Sequence, residues 1–215
     1  MISILLAVYN GELYLKHSLE SILNQTFINY ELLVGFNGTS DSSREIVEKY
    51  KDPRIKVFDY QEKGKAKTLN KLLIESKFNF ICIQDDDDIW INNKLEKQIP
   101  FLNIYNVVGS LIFYINENGQ IIGRPNLSTN TNEIKYLSME GSNQIANSSA
   151  IFRKHDAQEI NGWREEFDGI EDFDFWLRLM RNGKSFINVP EELVLHRLHP
   201  NSKFNTQKYD LSRIL

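Results

Sequence analysis

The chain has one cysteine, Cys82, among its 215 residues. That excludes an intrachain disulfide framework and points to a reducing, cytoplasmic setting. No apolar run approaches the roughly 18 to 20 residues that a membrane span needs. The opening Ile2–Val8 is too short for a signal peptide and lacks a basic segment ahead of it, so it reads as a buried strand. There is no linker rich in Gly, Pro or Ser, no internal repeat and no low-complexity tract. Basic charge is also lacking: 25 Lys and Arg face 29 Asp and Glu, a net charge of −4, which argues against a nucleic-acid partner. No Gly-x-Gly-x-x-Gly occurs, and Gly64-Lys65 lacks the earlier Gly and the following Ser or Thr of a P-loop.

What remains is an ordinary globular composition, 41% hydrophobic and 25% charged, with a clear periodicity. Ile2–Val8, Tyr30–Phe36, Arg54–Phe58 and Phe78–Ile83 read as buried strands. Between and after them, Leu15/Leu19/Ile22/Leu23, Leu69/Leu72/Leu73 and Leu95/Ile99/Leu102 have helical spacing. Such alternation predicts a mostly parallel, doubly wound sheet with helices on both faces. Ligands bind such sheets beyond the carboxyl ends of the strands, which directs attention to Tyr9-Asn10, Asn37-Gly38 and Asp85–Asp88. The second half is less regular. It predicts a hairpin across Asn118-Gly119, a polar loop with one short helix over 125–146, and a short strand over Ser148–Arg153. An amphipathic helix carrying Phe173, Trp176, Leu177 and Met180 follows, then final strands at Ser185–Val189 and Leu193–Leu195.

Four adjacent aspartates, Asp85 to Asp88, account for the whole acidic surplus. Like charges packed this closely repel, and a divalent cation relieves the conflict with oxygen ligands. In extended backbone Asp85 and Asp87 point to one side, so the pair can grip one ion. The competing reading is a solvated acidic loop in which Asp88 caps the next helix. Lys63, Lys65, Lys67 and Lys71 open a helix where amides and ammonium groups suit a diphosphate, or simply form a solvated face. In the helix after residue 170, Asp172 lies at the border of the apolar stripe and Glu171 well away from it. Asp174, four residues before Arg178, has a local ion pair available, which leaves Asp172 as the reactive acid. Arg197 and His199 follow the last strand, where Arg197 could meet a phosphate and His199 could either join carboxylates at a metal or serve a purely structural role.

In order and spacing these segments resemble the family 2 glycosyltransferases of the GT-A fold over nearly the whole chain. The resemblance is carried by Ile2–Asn10, Leu19–Phe27, Asn37–Asp41, Gly64–Asn70, Asp85–Trp90, Asn147–Arg153, Gly162-Trp163 and Glu171–Arg178. It implies a single GT-A domain with a Rossmann-like, mostly parallel sheet: residues 1–100 would bind the nucleotide sugar, and 101–215 would form a smaller acceptor side carrying the catalytic base. Tyr9 would pack on the base, Asn37 would read its edge, and Lys67 would lie near the diphosphate. Asp85 and Asp87 would be the Asp-x-Asp pair holding ribose and a manganese- or magnesium-bound diphosphate, with Asp86 and Asp88 beside them. Asp172 matches the catalytic base, with Glu171 next to it; His199 could reach the metal and Arg197 the phosphate.

Two departures bear on the donor. Members commonly carry Asp-Asp or Asp-Asn where this chain has Phe36-Asn37, and Ala7 stands where some have a base-touching threonine. An asparagine still accepts a hydrogen bond from uracil N–H, so a UDP-sugar is expected. The Gln-x-x-Arg-Trp signature of processive synthases is missing. The implied reaction is therefore one inverting transfer to a glycan, lipid-linked or protein acceptor by a cytoplasmic enzyme, at most peripheral to a membrane. A sugar nucleotidyltransferase, or a silent nucleotide-sugar-binding module, are the alternative readings.

Overall fold

The computed structural model describes residues 1–200 and 211–215. Its first half alternates strand and helix: β1 (Ile2–Val8), α1 (Leu15–Leu23), β2 (Tyr30–Asn37), α2 (Ser43–Glu48), β3 (Ile55–Tyr60), α3 (Lys65–Glu75) and β4 (Phe80–Asp85). Then come β5 (Ile89–Trp90), α4 (Lys94–Gln98), β6 (Val107–Ile115), β7 (Ile121–Gly123) and α5 (Thr131–Met139). β8 (Ile151–Arg153), α6 (Lys154–Glu159), α7 (Glu171–Arg181) and β9 (Phe186–Arg197) complete the described strands and α-helices.

One sheet runs through both halves in the order β3-β2-β1-β4-β8-β6-β9-β5, with β7 on the free side of β6. β1, β2, β3 and β4 are mutually parallel, as are β6 and β9, while β8 is antiparallel to both β4 and β6. From β1 the chain winds outward to β3, then returns to lay β4 on the other side of β1. Strand order therefore reverses between β1 and β4, so a crevice opens at their carboxyl ends, beside Tyr9 and Asp85.

Alternation along the strands feeds two apolar layers. Ile2, Ile4, Leu6 and Val8 of β1 face α1, α2 and α4 through Leu15, Leu19, Ile22, Val47 and Leu95. Leu5 and Ala7 face the opposite way, toward Leu69, Leu72 and Leu73 of α3 and Phe175, Trp176 and Leu179 of α7. Both faces are covered, which is why the strands read as continuous apolar runs. Phe152 lies at the centre of the second layer, its ring centroid 6.0 Å from Trp163, 5.3 Å from Phe175 and 5.7 Å from Trp176.

Four expectations change. The two final strands are one, β9, because Pro190 sits in a bulge: Ser110 pairs with Val189 and Leu111 with Glu192. The helix expected through Leu102 stops at Gln98 and tightens into a 3-10 turn over Ile99–Asn103, since Pro100 has no N–H to donate. The strand expected from Ser148 begins at Ile151, and 147–149 form a 3-10 turn. Finally, β4 ends at Asp85 and the chain turns at Asp86-Asp87, so the extended geometry that would align Asp85 with Asp87 is not present.

Phe152→Ala should cost about 3–5 kcal/mol of stability, the range for an aromatic lost from a packed core. A urea denaturation midpoint that does not move would show this aromatic layer to be dispensable.

Candidate active site

The turn after β4 is built on buried hydrogen bonds. Asp88 is fully buried, its Oδ1 accepting from the Arg197 N–H (2.9 Å) and its Oδ2 lying 2.5 Å from Ser148 Oγ and 3.0 Å from His196 Nδ1. It is a structural anchor, neither a solvated acid nor a helix cap. Burial depresses the His196 pKa, but the Asp88 carboxylate outweighs it and raises the imidazole to about 9. Gln84 Nε2 donates to the Asp88 carbonyl and Ser18 Oγ to the Asp85 carbonyl, so the turn is gripped from below.

The other three acids face the crevice. Burial pushes the Asp87 carboxyl upward, yet the hydrogen bond with His199 Nε2 (3.0 Å), with the charges of His196 and Lys65, holds it below the ordinary range. Asp86, which accepts from the Tyr9 N–H at 3.2 Å, is driven well above that range by burial and by Asp87. Asp85 is held by Lys65 Nζ at 2.6 Å and by Asn147 Nδ2 at 3.0 and 3.3 Å. The three expected metal ligands therefore do not converge: Asp87 and His199 meet, while Asp85 turns to a lysine and an amide. A carboxylate beside an imidazole is a donor set that manganese accepts, whereas magnesium would take the carboxylate oxygen alone. Among the described residues, three ligand atoms lie within 4.8 Å of one another only at His155, Asp156 and Glu159, where Lys184 already pairs with both acids.

Of the nucleotide-side candidates, Tyr9 is 39% exposed beyond β1, with Lys63 Nζ 4.0 Å above its ring. Ala7 is buried in register with Gly35 and Asp85. Asn37 is 3% exposed, and its buried Oδ1 has no hydrogen-bond donor among the described residues. The lysine segment differs from expectation. Lys67 pairs with Glu62 at the surface and Lys71 lies over Tyr60. The first amides of α3 are capped by Asp168 Oδ1, which accepts from Lys65 N (2.9 Å) and Ala66 N (3.2 Å). Arg197 also departs from its expected phosphate contact. It is 2% exposed, donates to the carbonyls of Asp87, Asn116 and Glu117, and covers the Tyr14 ring.

On α7, Asp174 is buried in the pair with Arg178 Nε (2.8 Å) that its spacing predicts, and it also pairs with Arg164. Glu171, expected away from the apolar side, is 3% exposed because it folds back onto the Gly169 N–H and onto Lys65 Nζ at 3.3 Å. Asp172 is half-buried and accepts from Asn143 Nδ2 at 3.1 Å. Burial, then Glu171, raises its pKa to about 7, with Lys65 pulling the other way. Asn147, Asp168 and His196 escaped the sequence reading as site residues, and Lys65 was not distinguished from its neighbours.

The model of glycosyl transferase family 2 matches residues 3–160. The chain belongs to that family. It is 31% identical to the O-antigen biosynthesis glycosyltransferase WbnJ of Escherichia coli, covering 99% of this chain and 84% of that protein. It is also 31% identical to the UDP-Glc:alpha-D-GlcNAc-diphosphoundecaprenol beta-1,3-glucosyltransferase WfgD of the same species, over 99% of this chain and 83% of WfgD. Among solved structures, this glycosyltransferase superposes on S. aureus TarS 1-349 in complex with UDP-GlcNAc with a TM-score of 0.81 at 18% identity, over 99% of this chain and 63% of TarS 1-349. The mannosyltransferase PcManGT of Pyrobaculum calidifontis, in complex with GDP-Man and Mn2+, gives 0.72 at 15% identity, over 94% of this chain and 58% of that one. Those likenesses establish the GT-A fold of the glycosyltransferase.

Protonated His196 stabilises the fold fully below its ordinary value of 6.5, and that contribution is lost as pH rises through about 9. The urea midpoint of the metal-free protein should fall across this window, and His196→Gln should flatten the fall. A slope unchanged by the substitution would contradict the Asp88–His196 anchor.

Proposed function

We propose that this glycosyltransferase moves one sugar from a UDP-sugar to an acceptor hydroxyl with inversion, Asp172 serving as the base. The observation that carries the reading is Lys65, whose ammonium spans from Asp85 at the end of β4 to the first turn of α7, where Asp172 sits. Donor-side acids and the base thereby border one crevice. In this assignment residues 1–100 hold the nucleotide sugar, and 101–215 supply the base and the acceptor surface.

Each part has a chemical reason. Tyr9 offers an exposed ring for the base, and the unpartnered Asn37 Oδ1 suits the N–H that uracil presents. TarS in complex with UDP-GlcNAc, and the UDP-Glc in the name of WfgD, support a uridine donor. Asp87 and His199 would hold manganese, or Asp87 alone magnesium, and the Mn2+ of the Pyrobaculum enzyme supports the manganese reading. When bound, the ion would offset negative charge on the leaving diphosphate. Asp172 accepts the acceptor's proton as that oxygen attacks the anomeric carbon, while the carbon–oxygen bond to the diphosphate breaks on the opposite face. A carboxyl near neutrality is matched to that task, being both ionised at working pH and basic enough to take the proton. The acceptor is a glycan, lipid-linked or protein hydroxyl, and the name of WfgD favours the lipid-linked class. No helix among the described residues is long and apolar enough to cross a membrane.

Asp172→Asn should lower transfer by about 10²–10⁴-fold, the range for a lost general base, with UDP affinity retained. Full activity in this variant would remove the base assignment. In the parent, kcat should rise with pH through about 7 as Asp172 ionises; a flat profile there contradicts the raised carboxyl. Thermal-shift titrations of UDP- and GDP-sugars with and without manganese should give a metal-dependent stabilisation for the uridine class. Product analysis should find free nucleoside diphosphate, whereas pyrophosphate would indicate nucleotidyl transfer.

A further inference from the structure

We propose that Lys65 is a positioning residue that braces the base-bearing helix α7 against the donor-side carboxylate Asp85; this rests on Asp172 being the base. Gly64, with φ of 147°, turns the chain so that Lys65 becomes the first residue of α3. From there its backbone and its side chain both bond to acids at the end of β4 and around the start of α7. The N–H donates to Asp168 Oδ1 at 2.9 Å, just ahead of α7. The ammonium lies 2.6 Å from Asp85 Oδ1 and 3.3 Å from Glu171 Oε1, the first residue of α7. Further along α3, Asn70 exchanges two hydrogen bonds with the Trp163 backbone, at 2.9 Å from its N–H and 2.7 Å to its carbonyl. α3 is thus stitched to the segment leading into α7, and Lys65 is the stitch nearest the chemistry.

The other lysines of the segment do not share this task. Lys63 covers Tyr9, Lys67 pairs with Glu62, and Lys71 covers Tyr60. The two acids also differ in what they keep if Lys65 is removed. Asp85 remains held by Asn147, so the donor side stays formed. Glu171 is 3% exposed and would be left with the Gly169 N–H against the neighbouring Asp172 charge. A buried carboxylate without its cation turns toward water, and the first turn of α7 goes with it. The loss therefore falls on the reacting geometry, and donor binding is largely spared.

The test measures kcat and donor KM for the manganese-loaded enzyme, and UDP affinity by calorimetry, in Lys65→Met, Lys65→Arg, Glu171→Gln and the Lys65→Met/Glu171→Gln pair. Lys65→Met should lose about 100-fold in kcat, the scale of an ångström-level misplacement, with UDP affinity within about threefold of the parent. Lys65→Arg should recover most of that loss, and the double variant should be no worse than Lys65→Met, since both changes break one contact. Parental kcat in Lys65→Met, or a loss carried by UDP affinity, overturns the brace. Should Lys65→Met not accumulate folded, Glu171→Gln reads the same contact from the other side, and unchanged kcat there overturns it equally. Asp172→Asn assayed in parallel separates the two ideas. If it is inactive while Lys65→Met is fully active, the brace alone fails; if it is fully active, the base assignment fails and the brace with it.

Discussion

Crowding of negative charge is the constraint that organises this molecule. Asp85, Asp86, Asp87 and Asp88 follow one another at a strand end, and Glu171 and Asp172 approach them across the crevice. Unrelieved, such a group would protonate or fly apart. The fold disperses it by giving each acid a different partner: Lys65 and Asn147 for Asp85, a backbone N–H for Asp86, His199 for Asp87, and His196 with Ser148 for Asp88. Those partners come from the residue after β1, from α3, from β9 and the residues just beyond it, and from the turn ahead of β8, so the acids dictate where distant segments must arrive. Asp88 illustrates the division of labour, since it gives up contact with the crevice to pin the turn that presents the others.

Much of the architecture was legible because the first half is built from repeated strand–helix units whose apolar periods are clean. β1, β2, β4, α1 and α3 fall where hydrophobic spacing places them, and strand order explains why the loops after β1 and β4 share a crevice. Legibility fails where backbone chemistry overrides pattern. Pro190 interrupts the apolar spacing of β9 without ending the strand, and Pro100 converts a helical stripe into a tighter turn. At the aspartates, alternation misled because the strand stops at Asp85, two residues before the Asp87 that the pairing argument needs.

The site was readable as a set of regions more than as a set of tasks. Asp85, Asp87, His199 and Asp172 lie around the region the sequence indicates, and Asp174 takes the Arg178 pairing that its spacing suggests. The lysines were indistinguishable in sequence, because four ammonium groups on one segment carry no mark of which carboxylate each will meet. For Lys65 that choice follows from the tertiary approach of Glu171 and Asp85, while the other three meet Tyr9, Glu62 and Tyr60 nearby. Arg197 was misread for a similar reason. A guanidinium near an acidic turn suggests phosphate, but burial among three carbonyls assigns it to holding the hairpin between β6 and β7 in place.

The seam between α3 and Gly162 has a consequence for how the loop ahead of α7 is held. Gly162 adopts a φ of 66°, and a Cβ there would stand 2.2 Å from Asn70 Oδ1, so no side chain fits between the two elements. A side chain at position 162 would displace the Asn70 amide and with it both bonds to the Trp163 backbone, so the loop ahead of α7 would lose its hold on α3.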